Sequence, residues 1–135
     1  MRREPSEEAD RLAKLVIGAA IEVHQILGPG YLEKTYEEAL AVEFALRGIP
    51  FSRQHPISLT YKGHPIGEGR LDFLVGGEVV VELKTVDALA DIHKAQVISY
   101  LKATGHILGL LINFHVPVLK DGLKRVVYSL DDPRI

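Results

Sequence analysis

Asp72, Glu82 and Lys84 are the residues of this chain whose types and spacing could do chemistry together. In a strand, residues two apart face the same way and lie about 6.6–7 Å from one another along the chain. Glu82 and Lys84 therefore share a face of the otherwise apolar run Val79-Val80-Val81-Glu82-Leu83-Lys84. Burying either charge alone is expensive, so the two need a partner or a purpose. A cross-strand ion pair, Arg70 with Glu82 for instance, is the structural alternative. Asp72 stands between Leu71 and Phe73 on the preceding strand and points away from both. Whether it meets Glu82 depends on the hairpin between them. A two-residue Gly76-Gly77 loop pairs Asp72 with Val81 and separates the acids. A three-residue loop, Val75-Gly76-Gly77, pairs Arg70 with Glu82 and Asp72 with Val80, which makes Asp72 a diagonal neighbour of Glu82 on one face. The convergent register is the expectation taken here. Two carboxylates so close repel, and a cation between them relieves the repulsion.

The elements that must position these groups are legible as changes of period. Ser6 is an N-cap candidate, followed by acidic residues and by Leu12, Leu15, Val16, Ala19, Val23, Ile26 and Leu27 at helical spacing. Gly28-Pro29-Gly30 stops that helix. A second runs from about Leu32 to Arg47, with Leu32, Tyr36, Ala39, Leu40 and Ala45 as its buried stripe and Gly48 as its breaker. Strands are predicted over Ile57–Tyr61, Gly69–Val75 and Glu78–Lys84, then a helix over Ala88–Thr104 ended by Gly105. Ile107–Phe114 is the nearly continuous apolar run of a strand covered on both faces, and Leu123–Leu130 is a last strand before a loose tail, 131–135. The order ααβββαββ describes an α/β (α+β) chain with a mixed β-sheet flanked by helices. No linker, repeat or low-complexity stretch divides it, so residues 1–135 are read as a single domain.

These residues carry a resemblance. Asp72 followed by Glu82-Leu83-Lys84 resembles the signature of the PD-(D/E)XK nuclease superfamily, with Arg70-Leu71 where that name has a proline. Gln96-Val-Ile-Ser-Tyr100 is similar to the Gln-x-x-x-Tyr motif of its RecB-like branch. Gly30-Tyr-Leu-Glu33-Lys-Thr-Tyr36 matches the pattern for which the GxxExxY protein family of bacteria and archaea is named. The resemblance runs from about Ile17 to Leu130 and implies a restriction-endonuclease-like core. It implies Mg²⁺ or Mn²⁺, hard ions that prefer oxygen donors, on Asp72 and Glu82, with the Leu83 carbonyl and Glu33 as further ligands. The ion would activate water against a scissile phosphate, with Lys84 placing that water or countering charge on the phosphorane. Gln96 would support Lys84 or the phosphate and Tyr100 would line the substrate groove, its alternative being a core residue with its hydroxyl satisfied. Glu33 would bind directly or through water, its alternative being a solvated carboxylate in a first turn. Tyr36 is either a groove residue or packing for the Glu33 helix. His24, just before the glycine break, is a candidate metal or phosphate contact, its alternative being a structural histidine; His93 is open in the same way. Gly28 and Gly30 could bring backbone N–H groups to a phosphate or be loop punctuation.

Composition bounds the partners. The 135 residues are 47% hydrophobic and 25% charged, the balance of a folded globule rather than a disordered or fibrous chain. Without cysteine there are no disulfides, thiolate metal sites or cysteine nucleophiles. No apolar segment follows Met1-Arg2-Arg3, and the Leu15–Ile21 stretch is too short for a bilayer, so a cytoplasmic protein with no membrane partner is expected. The net charge of −2 gives no global pull on a polyanion. Residues 84–125, however, carry six basic side chains against three acidic ones. Two functions follow from different classes: a divalent-metal nuclease acting on DNA or RNA, and a catalytically silent nucleic-acid-binding or assembly module on the same scaffold. A homo-oligomer that completes the groove is compatible with either.

Overall fold

Ser6 opens the first helix as its side chain allows: Oγ accepts the Ala9 N–H at 3.0 Å, and Glu7, Glu8 and Asp10 stand in the first turn, where the helix dipole favours negative charge. In the computed structural model, which describes residues 4–129, this helix α1 spans Glu7–Leu27. It buries Leu12, Val16, Ala19 and Val23, while Ile26, expected on that stripe, is 71% exposed. Helix α2 spans Glu33–Leu46 and buries the four-residue row Tyr36, Leu40 and Phe44. Leu32 and Ala45, expected on its stripe, are exposed instead. Leu32 is the N-cap, in extended backbone, so its side chain does not follow the helical row. Phe44 takes the place given to Ala45 because it meets Phe51 and Phe73, with ring centroids 5.5 and 5.2 Å away.

Five strands form one sheet in the order β1 (Phe51–Tyr61), β2 (His64–Val75), β3 (Val79–Lys84), β4 (Leu108–Asn113), β5 (Leu123–Val127). β3 and β4 are parallel and every other neighbouring pair is antiparallel, so the sheet is mixed, as expected. Helix α3 (Asp91–Thr104) connects β3 to β4, and a short 3-10 turn, Leu119–Gly122, precedes β5. α1 and α2 cover one face, packing on Val79, Val81, Leu83, Leu110 and Ile112. α3 covers the other through Val97, Ile98 and Leu101, against Val80 and Leu111. β4 is buried at every residue, as its apolar run predicts.

The boundaries differ where local ties override pattern. α3 begins at Asp91 rather than Ala88 because Asn113 binds both the N–H (3.1 Å) and the carbonyl (2.9 Å) of Val86, holding the approach as a loop. The β1–β2 hairpin is much longer than its two predicted cores, and Pro56 within it is tolerated because β1 is an edge strand. Beyond Ile57 and Gly69 it carries no buried residue until its tip at Lys62-Gly63. The last strand ends at Val127, and Leu130 with the predicted tail 131–135 lies outside the described residues.

Candidate active site

The hairpin between β2 and β3 decides whether the two acids meet. Its loop has three residues, but they are Gly76-Gly77-Glu78 rather than Val75-Gly76-Gly77, since Val75 pairs with Val79 and Phe73 with Val81. Both glycines take positive φ, 59° and 70°, which ordinary side chains rarely adopt. Sliding the loop by one residue changes the register by two. Continued one step, this register sets Asp72 level with Glu82 instead of Val80. Arg70 is correspondingly not the partner of Glu82; its Nη1 donates to the Gln54 carbonyl at 3.1 Å.

Past Phe73–Val81 the acids' own side chains take over from the regular ladder. The Asp72 N–H donates to Glu82 Oε1 at 3.1 Å, and the Leu83 N–H donates to Asp72 Oδ2 at 2.8 Å. The bonds are reciprocal between neighbouring strands, so each acid helps fix the other. Glu82 is only 5% exposed, on the face that α3 covers, and Asp72 is half-buried beside it. Burial, and next the charge of Asp72, push the Glu82 carboxyl up to about 9, so in the metal-free protein it holds a proton at neutral pH. Burial also raises Asp72, opposed by the Leu83 N–H.

Lys84, two residues along the same face, is half-buried and acts on Glu82, Asp72 and Glu33 through its charge, with no ion pair among the described residues. Glu33, in the first turn of α2, is an exposed residue whose carboxyl is raised by partial desolvation and then by the Asp72 charge. From the opposite layer α3 brings Tyr100, raised by burial and then by the charges of Glu82 and Asp72, and Gln96, whose Nε2 donates to the Tyr100 hydroxyl at 3.2 Å. Thus Asp72, Glu82, Lys84, Glu33 and Tyr100 share one electrostatic neighbourhood, with Gln96 attached through Tyr100. The Leu83 side chain is in the core, while its backbone lies between the acid and the lysine.

Two candidates lie elsewhere. His24 is buried at the end of α1, with Nε2 2.8 Å from the Val116 carbonyl and its ring beside Phe114, so it ties α1 to the segment before β5 rather than reaching the acids. Tyr36 is fully buried, stacked on Phe114 at 4.5 Å; its hydroxyl donates to the Gly28 carbonyl and accepts the Tyr31 N–H at 3.2 Å. There it ties the glycine loop to α2. His93 accepts the Ala90 N–H on Nδ1, at the start of α3.

Sequence reasoning missed Glu37 and Gln54. An open cleft of about 580 Å³ reaches Asp72 from the α2 side and is lined by Glu33, Lys34, Glu37, Arg53 and Gln54 among others. Glu37 was within reach of inference, being one helical turn from Glu33. Gln54 carried no signal, because its side chain is brought in by an irregular backbone.

Among the described residues no group of three histidine, cysteine, aspartate or glutamate side chains is close enough to hold a metal alone. The site offers a facing pair of carboxylates instead. Oxygen donors of that kind suit a hard divalent cation that keeps much of its water, rather than an ion that takes a closed set of nitrogen and sulfur ligands. The model for the PD-(D/E)XK nuclease superfamily matches residues 10–126, a segment that includes every residue of this neighbourhood and reaches from α1 into β5. No curated protein matches the chain.

Proposed function

Because the chain belongs to the PD-(D/E)XK nuclease superfamily and has its restriction-endonuclease-like fold, we propose that it is a divalent-metal-dependent nuclease that hydrolyses phosphodiester bonds in DNA or RNA. The observation that carries this reading is the pair of bonds that joins the acids across β2 and β3, Asp72 N–H to Glu82 Oε1 and Leu83 N–H to Asp72 Oδ2, with Lys84 two residues beyond Glu82. Asp72 and Glu82 would hold Mg²⁺ or Mn²⁺, assisted by the Leu83 carbonyl and, directly or through water, by Glu33. When bound, the ion would polarise the scissile phosphate and lower the pKa of its water. The Lys84 ammonium, which has no ion pair among the described residues, would face the negative charge that grows on phosphorus, a task for a compact cation. Tyr100 would form the wall of the substrate groove on the α3 side, held by Gln96. Within the superfamily, Gly30, Glu33 and Tyr36 support membership of the GxxExxY family: Glu33 faces the acids while Tyr36 fixes the loop that delivers it. DNA is the leading substrate class, and a second copy of the chain would extend the groove along a duplex.

The test is incubation of the purified chain with single- and double-stranded DNA and RNA in Mg²⁺ or Mn²⁺. Wild type is expected to cut at least one substrate and Glu82→Ala to lose that activity. Equal background rates for both on every substrate overturn the proposal. Binding without cleavage, weakening steeply with salt, would identify a silent nucleic-acid-binding module instead.

A further inference from the structure

Gln54 has a left-handed backbone, φ 50°, in the middle of strand β1. The other described non-glycine residue with positive φ is Lys62, and the tight turn at the hairpin tip accounts for that one. No turn accounts for Gln54. The β1–β2 ladder runs Arg53–Phe73 and then His55–Leu71, so Gln54 and Asp72 are the facing residues it skips. The side-chain alternation of β2 breaks at the same place. Phe73 and Val75 pack with α1 and α2, whereas Leu71 joins Leu74 in the α3-side core, which strict alternation forbids. The break in alternation falls at Leu71, beside Asp72, the residue that faces Gln54 across the strands.

The Gln54 Nε2 donates to Glu37 Oε1 at 2.6 Å and reaches Asp72 Oδ1 at 3.4 Å. Glu37 is held in turn by Arg53 Nε at 2.7 Å. The two Asp72 oxygens are thus approached by different strands: Oδ2 by the Leu83 N–H of β3 and Oδ1 by the Gln54 amide of β1. We propose that Gln54 is a positioning residue, whose strained backbone turns the Asp72 carboxylate into the site and whose amide, anchored through Glu37 and Arg53, fixes its orientation for the metal. This rests on the nuclease reading above, since it assigns Asp72 to metal binding. It adds a strained residue that fold stability alone would disfavour.

Full-length Gln54→Gly and Gln54→Asn test it, the first relieving the backbone and removing the amide, the second tolerating left-handed φ with an amide one methylene too short. In metal-free protein the Leu83 amide proton, two strands away from residue 54, is expected to move upfield in both variants as its carboxylate acceptor loosens, while Val79 and Val81 stay in place. Mn²⁺ affinity by calorimetry is expected to fall about tenfold, as for loss of an outer hydrogen bond to a ligating group. The thermal midpoint of Gln54→Gly should hold or rise, which a purely structural glutamine would not allow. A Leu83 resonance and Mn²⁺ affinity unchanged from wild type overturn the proposal, as does Gln54→Asn keeping both while Gln54→Gly unfolds. Failure of wild type to bind Mn²⁺ overturns the nuclease reading instead, and the Leu83 shift still decides the positioning role.

Discussion

With its pKa pushed up to about 9, Glu82 keeps a proton in the folded, metal-free protein over a range in which the unfolded chain, at 4.5, has released it. A carboxyl raised on folding favours the native state fully below the unfolded value, and that contribution is lost as pH climbs through the folded one. Asp72 and Glu33 are shifted in the same direction, so they add to the trend. The metal-free protein is therefore expected to lose stability steadily between about pH 4.5 and pH 9, as read from urea unfolding midpoints across that range. Glu82→Gln, neutral at every pH, should flatten most of the slope. A wild-type midpoint that rises over this interval would show that Glu82 is ionised and compensated by something other than a metal.

At the scale of elements, the Gly76-Gly77-Glu78 loop sets the β2–β3 register and hence the meeting of the acids. A Cβ at Gly76 would lie 2.5 Å from the Leu12 side chain, itself packed in the core, and its φ of 59° is strained for any side chain. Gly76→Ala is expected to cost about 1–3 kcal/mol in chemical denaturation, from left-handed strain and overpacking. Gly77→Ala, with open space around its Cβ, should cost only the backbone strain. The comparison of the two separates packing from conformation. The loop also marks the limit of what the residues disclosed. Gly76-Gly77 announced a turn, but no local pattern said which three residues would form the loop, nor that β2 would break its alternation beside Asp72. Ser6, Gly28 and Gly105 located helix ends because caps are local chemistry. The Asn113 clasp on Val86 and the Gln54 contacts join residues far apart in sequence, so no window of sequence contains them. The backbone partners of His24 and Tyr36, the Val116 and Gly28 carbonyls, likewise follow from the fold and not from any local pattern.

At the scale of the whole molecule, charge is arranged to leave the site in deficit. Arg11, Arg47, Arg53 and Arg125 are occupied by Glu8, Glu43, Glu37 with Glu38, and Asp10. Among the described residues Lys84 has no ion pair and acts on Glu82, Asp72 and Glu33 through its charge alone. A divalent cation should consequently act as a stabilising ligand: at a hundredfold excess over Kd the gain is about 2.7 kcal/mol. Thermal melts in Mg²⁺ or Mn²⁺ are expected to shift upward for wild type and to stay put for Asp72→Asn. An equal shift in both would place the cation elsewhere. No helix among the described residues is long and apolar enough to cross a membrane. The β1–β2 hairpin leaves the sandwich of helices and sheet behind, and near its tip Tyr61 and Ile66 are 61% and 64% exposed. Cutting the chain there removes no core contact. Brief trypsin treatment should nick after Lys62 first and leave two pieces that elute together and melt as one body. The same bond is where a fluorescent or affinity handle could be spliced in with the acids and their lysine undisturbed.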